Sequence, residues 1–303
     1  MRIFVTGGSG LTGPAIVSEL ITAGHTVTGL ARSDASAQRL EGLGATAHPG
    51  SLDDLDSLRA GATQADAVVH MAFGGDFSDT DAMMRRDCAA IRALGESLEG
   101  SGKPLISTSG TLVLPRGRVT TETDAPDRDS TAGFRIRGED ACLEFAERGV
   151  RASVLRLAPT VHGPNDYGFI PMLIAAARKT GVSAYIGDGS NRWPAVHRLD
   201  AAVLYRLAVE HAPAGAVLHG TGQEAIVFRD IAETIADALG IPTRSLTPEE
   251  AVPHFENPFM ASVYAADAPV SSEYTRKLLD WEPTHPGLLE DLEHGDYFTP
   301  ARP

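Results

Sequence analysis

A glycine-rich turn joins a strand-like segment to a helix-like segment at the start of the chain. Residues Arg2–Thr6 are largely apolar, and Gly7, Gly10 and Gly13 follow at intervals of three positions. Pro14 suits the first turn of a helix, where no backbone donor is needed. Glycines in a strand–turn–helix unit permit a tight turn and let a diphosphate approach the free N–H groups of the helix start. The pattern therefore predicts an α/β protein that binds a dinucleotide.

The whole turn is expected to contact the diphosphate, because backbone groups do most of the binding at such a site. The glycines can also be paired as Gly8-x-Gly10-x-x-Gly13, which has the same chemical consequence. The predicted contacts are Gly7, Gly8, Ser9, Gly10, Leu11, Thr12 and Gly13.

Strand-like and helix-like segments alternate along the first half of the chain. Apolar β-rich runs occur at 2–6, 26–30, 67–71, 104–107 and 152–157, and helical spacing at 15–23, 52–58, 83–98 and 139–148. The strand-like runs are apolar throughout, as expected when both faces of a sheet are covered. The fold class predicted is α/β, a Rossmann doubly wound parallel sheet with a smaller C-terminal substrate-binding lobe.

The alternation of strand-like and helix-like segments changes after about residue 157, where prolines and glycines become frequent and fewer strands separate the helices. We therefore predict a Rossmann domain over residues 1–158 and a mainly substrate-binding lobe over 159–303. Residues 192–220 are expected to return to the Rossmann domain.

Composition narrows the possible partners. The 303 residues are 43% hydrophobic and carry a formal net charge of -14, which repels nucleic-acid backbones and anionic lipid. No apolar run approaches the roughly 18 residues of a membrane span, and the strand at residue 2 leaves no room for a signal peptide. Two cysteines, Cys88 and Cys142, cannot form a metal cluster. We expect a cytoplasmic protein with a small-molecule substrate, no metal, no nucleic acid and no membrane partner.

The end of the second strand decides which cofactor is favoured. A ribose 2′-hydroxyl is normally held there by an acidic residue, but Ala31 occupies that position and Arg32 and Ser33 follow. Arg32 could pair with a 2′-phosphate while Ser33 donates a second hydrogen bond, which favours NADP(H). In the alternative, Asp34 reaches the ribose, Arg32 is solvated and the cofactor is NAD(H). Candidate contacts with the adenine are Ser51 and Leu52, at the start of the next predicted helix.

Together these residues resemble the short-chain dehydrogenase/reductase superfamily in its extended or atypical, epimerase/dehydratase-like branch. The resemblance covers nearly the whole chain. The matching segments are Thr6–Gly13, Val68–Ala72, Leu105–Ser109, Arg156–Pro164, Gly187–Asp200 and Leu278–Pro283. It implies a nicotinamide cofactor, and it leaves a homodimer open.

The resemblance also implies further contacts with the cofactor. In that superfamily the fourth and fifth strands and the turn after the sixth strand approach the nicotinamide. The implied cofactor contacts are Met71, Ala72, Phe73, Thr108, Pro159, Thr160 and Val161. The predicted substrate pocket contains Phe73, Phe134, Phe169, Arg192, Trp193 and His197. For Trp193 and His197, a place in the core is the open alternative.

The sequence differs from the family pattern at the catalytic residues. The family's reaction uses a Ser or Thr hydroxyl with a Tyr and a Lys four residues apart, and the Lys lowers the pKa of the Tyr. Ser109 matches the hydroxyl, but Phe134 and Gly138 stand at the Tyr and Lys positions, and the sequence contains no Tyr-x-x-x-Lys. The usual proton relay is therefore absent.

Three residues are candidates to replace the relay. Ser109 can donate a hydrogen bond to a developing oxyanion, His162 titrates in a useful range, and Tyr167 could supply a phenol. His162 could instead be a capping or packing residue, and Tyr167 a hydrophobic wall. Arg135 and Glu139 are expected on a solvated helix face, with acidic-substrate binding as the alternative for Arg135.

The function predicted is that of an NADP-dependent oxidoreductase with a non-standard proton relay. Hydride transfer itself requires only a bound nicotinamide held against an acceptor, here a small, moderately apolar carbonyl, enone or imine. One alternative is a nucleotide-sugar epimerase or dehydratase, which the missing Tyr and Lys weaken. The other is a non-catalytic NAD(P)-binding sensor, which the loss of the relay would permit.

Overall fold

A parallel sheet of seven strands forms the centre of the computed structural model, which describes residues 1–74, 79–130 and 132–299. Its strands are β1 (Arg2–Thr6), β2 (Thr26–Ala31), β3 (Thr46–Pro49), β4 (Ala67–His70), β5 (Pro104–Gly110), β6 (Arg151–Leu157) and β10 (Val217–Gly220). They lie in the order β10-β6-β5-β4-β1-β2-β3, and each neighbouring pair is parallel. The predicted Rossmann sheet is confirmed.

Helices cover both faces of this sheet, as the apolar strands require. They are α1 (Gly13–Thr22), α2 (Asp34–Gly42), α3 (Leu55–Gln64), α4 (Thr80–Glu96), α5 (Ile136–Leu143) and α7 (Arg198–His211). Ile16 of α1 and Tyr205 of α7 belong to one buried apolar cluster, whereas Leu58 of α3 and Leu94 of α4 belong to another. Alternate side chains of the strands enter the two clusters.

Helix α2 and strand β3 were not predicted from the sequence. Leu40 is the only large apolar residue that α2 buries, so its hydrophobic pattern is weak. Its start is instead fixed by a capping box, in which the Ser33 side chain accepts from the Ser36 backbone N–H and the Ser36 side chain accepts in return.

The second half of the chain forms two small sheets and further helices. The strands are β7 (Thr160–His162), β8 (Ser183–Ile186), β9 (Arg192–His197), β11 (Gln223–Val227) and β12 (Thr243–Leu246), paired as β11-β9-β7 and β12-β8. The helices are α6 (Phe169–Thr180), α8 (Phe228–Leu239), α9 (Pro248–Phe255), α10 (Pro258–Tyr264), α11 (Glu273–Leu279) and α12 (Leu288–His294).

The chain returns to the large sheet through α7 and β10. Residues Arg192–His197 belong to the small sheet with β7 and β11, so the return begins at Arg198 rather than at residue 192. Of the helices in the described ranges, none has the length and apolarity that a bilayer crossing needs.

Candidate functional site

A cavity of about 460 Å³ opens at the carboxyl edge of the large sheet, where β1, β2 and β4 end. It brings together ten residues predicted from the sequence: Gly7, Ser9, Gly10, Arg32, Ser33, Ser51, Leu52, Ala72, Phe73 and Tyr167. It also adds six that the sequence did not single out: Leu30, Ser36, Arg39, Asp53, Gly74 and Arg86. The carboxyl edge is where ligands of open α/β sheets bind.

The glycines of the turn are required by close backbone approaches. Gly7 has a φ of +78°, and a Cβ there would lie 2.7 Å from the Ala72 nitrogen. A Cβ on Gly13 would lie 2.3 Å from the Gly7 carbonyl oxygen, so this glycine lets α1 pack against the turn. Gly10 donates its N–H to the Gly7 carbonyl at 3.0 Å, which closes the turn. Gly8 packs on Leu40 of α2.

The start of α1 follows the lining residues Gly7, Ser9 and Gly10 along the chain and has unsatisfied backbone donors. Its N-cap residue Thr12 makes no side-chain capping bond, and its first turn contains no acidic residue. Pro14 provides no donor, but the remaining N–H groups of a helix start have no intrahelical partner. Together with the helix dipole, they fit a diphosphate. Leu11, also predicted, is half-buried beside them.

Three basic side chains, from Arg32, Arg39 and Arg86, are among the residues that line the cavity. Arg32 and Arg39 are exposed, and Arg39 Nη1 donates to the Ser9 carbonyl at 3.4 Å. Arg86 donates to the Gly74 carbonyl and lies 3.9 Å from Asp53, the one carboxylate among the lining residues that the structure describes. Sequence reasoning missed Arg39 and Arg86 because neither follows a predicted strand.

Ser109 lies at the end of β5 with a buried hydroxyl. Its Oγ has no hydrogen-bond partner, and its Cα pairs in register with that of Arg156 on β6. Arg156 forms a buried, two-bond ion pair with Glu139 at 3.0 and 2.6 Å. The expectation that Glu139 lies on a solvated face is therefore wrong, since it neutralises a buried cation.

Phe134 and Gly138, which the sequence assigns to the positions of the family's Tyr and Lys, both lie in packed surroundings. Phe134 is half-buried between the apolar clusters, and a Cβ on Gly138 would lie 2.9 Å from an Asp87 carboxylate oxygen. Asp87 in turn contacts the His70 ring at 3.1 Å. A side chain at Gly138 would therefore displace the Asp87 carboxylate, which α4 places against α5 here.

Two predicted cofactor contacts, Thr108 and Thr160, are not among the described residues that line the cavity. The Thr108 hydroxyl lies 2.6 Å from the Tyr205 hydroxyl on the α7 side of the sheet. Thr160 is buried, with an unpartnered hydroxyl, in β7. Three further predicted contacts are half-buried and also lie outside the cavity lining: Met71, Pro159 and Val161.

His162 belongs to a buried histidine cluster and not to the cavity. Its Nδ1 lies 2.9 Å from the Asp291 carboxylate, and its ring meets the His197 ring edge-on at 5.3 Å. Burial, together with the neighbouring His162 and His285, lowers the pKa of His197 to about 4. The cluster joins β7, β9 and α12, which fits the packing alternative for His162 rather than a proton donor. His197 likewise lies in this cluster rather than on a pocket wall.

His197, Asp200 and His285 lie close enough together to be considered as metal ligands. The two imidazole rings, however, are stacked 4.8 Å apart and nearly parallel, at 7°. Nitrogen lone pairs lie in the plane of each ring, so parallel rings cannot both point at one ion. Asp200 also accepts hydrogen bonds from the Thr284 and His285 backbone N–H groups at 3.0 and 3.2 Å. The trio therefore acts as an anchor for the C-terminal segment.

The remaining predicted pocket residues form core or structural contacts. Trp193 is fully buried and packs against Phe228 and Tyr264 at centroid distances of 5.2 and 5.6 Å. Phe169 packs edge-on against Trp193, and Arg192 forms a two-bond ion pair with Asp267. These side chains hold the second half of the chain together, and of the six predicted pocket residues Phe73 alone is among the described residues that line the cavity.

The parallel sheet, the glycine turn and the uncapped helix start define a dinucleotide-binding Rossmann protein. Residues 3–219 match the NAD-dependent epimerase/dehydratase family, and the chain belongs to that family. The family and its structural neighbours are extended short-chain dehydrogenase/reductase enzymes, as the sequence resemblance implied.

The relatives include proteins of different activity. An uncharacterized protein of Schizosaccharomyces pombe is 47% identical over 98% of this chain and all of its own length. A 4-hydroxy-2-methyl-3-oxo-4-farnesyl-3,4-dihydroquinoline-1-oxide ketoreductase of Stigmatella aurantiaca is 28% identical over 80% of this chain and 74% of its own. The structure of a dTDP-glucose 4,6-dehydratase from Streptomyces venezuelae, with NAD bound, aligns with a TM-score of 0.80 at 17% identity, covering 98% and 97% of the two chains. At that identity the structural match shows the fold.

Proposed function

We propose that the protein is an NADP(H)-dependent oxidoreductase that transfers hydride between the nicotinamide and a small, moderately apolar carbonyl, enone or imine. The observation that carries the cofactor assignment is the presence of three guanidinium groups, from Arg32, Arg39 and Arg86, among the residues that line the cavity. The Stigmatella ketoreductase supports the reaction class, since its name describes reduction of a carbonyl.

The charges of the cavity favour a 2′-phosphate over a free 2′-hydroxyl. Three cations face one carboxylate, Asp53, and hydroxyls of Ser33 and Ser36 lie beside them. Asp34, the residue expected to hold a ribose hydroxyl in an NAD-specific site, is not among the lining residues. Arginine suits a phosphate because its planar group donates two parallel hydrogen bonds.

The residues of this chain would orient and protect the reacting groups. The bound cofactor supplies the hydride. The Gly7–Gly13 turn holds the diphosphate, Ser109 donates a hydrogen bond to the acceptor oxygen, and Tyr167 covers the mouth of the cavity. We also propose that residues 1–158, joined by the returning segment within 192–220, bind the cofactor, and that 159–303 mainly shape the substrate side.

Replacing Arg32 and Arg39 together by alanine is expected to weaken NADPH binding about 100-fold, since each charged hydrogen bond contributes about 1.5 kcal/mol. NADH binding should change less than about threefold, because NADH carries no 2′-phosphate. Calorimetric titration of both nucleotides gives the ratio. Arg128→Ala is the matched control, because Arg128 is exposed and pairs with Asp140 outside the cavity. An unchanged NADPH/NADH ratio in the double variant would refute the assignment of NADP(H).

The reaction is tested by following NADPH oxidation against a panel of carbonyls, enones and imines. Ser109→Ala should lower turnover about 100-fold while leaving the NADPH affinity unchanged, because it removes one donor to the oxyanion. Tyr167→Phe removes the hydroxyl group and keeps the aromatic ring, so it tests whether the hydroxyl takes part in the reaction. Equal turnover in Ser109→Ala and the parent protein would contradict the role of Ser109.

The burial of the Ser109 hydroxyl favours one other function. Its Oγ does not reach the cavity surface in this conformation, which also fits a nucleotide-binding sensor without chemistry. Binding of NADPH with no oxidation against the whole panel would select the sensor.

A further inference from the structure

The guanidinium of the half-buried Arg135 lies at the carboxyl edge of β5. Its Nη2 donates to the Thr108 carbonyl at 2.9 Å, and its Cζ lies 3.9 Å from the centre of the Phe73 ring. The Thr108 hydroxyl faces α7, so the next side chain, Ser109, faces the opposite side of the sheet, from which Arg135 approaches. The expectation of a solvated Arg135 is therefore wrong.

Among the residues that the structure describes, no carboxylate pairs with the half-buried Arg135 guanidinium. Among the described residues, the acidic charges of Asp87 and Glu139 raise the pKa of Arg135, against the larger lowering by burial. Asp87 contacts the His70 ring at 3.1 Å, and Glu139 pairs with Arg156. Because arginine stays protonated even when burial lowers its pKa, a positive charge persists in a region of low dielectric.

The position of Arg135 would place it near the nicotinamide end of the proposed cofactor. The adenosine end would lie beside Arg32 and the diphosphate on the glycine turn, both in the same cavity. Ala72 and Phe73, which follow β4, also line the cavity, and the Arg135 guanidinium packs on the Phe73 ring. If the proposed function is correct, the nicotinamide ring therefore lies near this guanidinium.

We propose that Arg135 selects the reduced form of the cofactor. The nicotinamide ring is uncharged when reduced and positively charged when oxidised, so a half-buried guanidinium beside it repels only the oxidised form. Charges a few ångströms apart interact strongly where water is excluded. The protein therefore loads with NADPH and releases NADP⁺ readily, whether it acts as a reductase or as a sensor of the reduced pool. This inference rests on the proposed cofactor and adds which of its redox states is bound.

The test is calorimetric titration of the full chain with NADPH and with NADP⁺ at one ionic strength. In the parent protein, NADPH should bind at least about tenfold more tightly. Arg135→Gln keeps an amide donor for the Thr108 carbonyl but removes the charge, and it should bring the two dissociation constants within about threefold, mainly through tighter NADP⁺ binding. Arg135→Lys keeps the charge and should retain the preference.

The matched control is Arg137→Gln, two residues further along on α5. Arg137 is exposed and pairs with Asp81 at 2.8 Å, so its loss should leave the NADPH/NADP⁺ ratio unchanged. If both nucleotides bind but Arg135→Gln leaves their ratio as in the parent protein, the inference is wrong and the proposed function stands. If neither nucleotide binds the parent protein, the inference and the proposed function are both wrong.

A comparison within the parent protein covers the case in which Arg135→Gln does not fold. The probe is 2′-phospho-ADP-ribose, which has no nicotinamide ring. It should bind at least as tightly as NADP⁺, because the charged ring contributes repulsion. NADP⁺ binding about tenfold more tightly than this probe would overturn the inference.

Discussion

Gly13→Ala is expected to lower the affinity for nicotinamide nucleotides more than about 100-fold, the largest effect expected at the site. The added methyl group would lie 2.3 Å from the Gly7 carbonyl oxygen and 2.5 Å from the Gly8 carbonyl carbon. Both are backbone atoms that cannot rotate away. The turn and α1 must therefore separate, which moves the donors away from the diphosphate. Titration with NADPH and NADH measures the loss.

Gly42→Ala provides the control for this effect. Gly42 is also a helical glycine, but a Cβ there would meet nothing within 4 Å. Alanine has a higher helix propensity than glycine by about 1 kcal/mol, so this variant should keep its affinity and gain a little stability. If Gly13→Ala bound NADPH as well as Gly42→Ala does, the backbone cradle could not be the diphosphate site.

Trp193→Ala is expected to lower the free energy of unfolding by about 3–5 kcal/mol, the largest effect on stability that we predict. The indole is fully buried and packs against Phe169, Phe228 and Tyr264, so its removal leaves a large cavity. Urea-induced unfolding measures the change, and Trp193→Phe should lose less because its ring fills part of the space.

Tyr167→Ala is the control, because this aromatic side chain is 64% exposed. Its removal should change the free energy of unfolding by less than about 0.5 kcal/mol. The result that would reverse the core assignment is a Trp193→Ala protein with unchanged stability and a weakened affinity for substrate.

The local parts of the fold were predictable because each has its own sequence signal. The Gly7–Gly13 turn and the apolar strands were predicted because a glycine spacing and an apolar run directly limit the backbone. The mostly exposed α2 and β3 were missed, since Leu40 alone gives no periodic pattern. Ser33 was assigned to a phosphate, but its side chain also caps α2.

The site was less predictable, because side-chain surroundings depend on residues distant in sequence. A tryptophan in the core and one on a pocket wall have the same neighbours along the chain, so Trp193 could not be placed. His162 is explained by Asp291, which lies 129 positions away. Arg135 looks like a solvated helix residue until Phe73 and Thr108 are brought to it by the ends of β4 and β5.

The late return of the chain to the large sheet has a consequence for biosynthesis. Strand β10 and helix α7 supply Leu218, Tyr205 and Val209 to the same buried cluster as Ile16 of α1. A ribosome-bound chain that ends near residue 158 therefore still exposes this apolar face. We therefore expect the amino-terminal half to keep this apolar face exposed, and to be prone to aggregation, until residue 220 has left the exit tunnel.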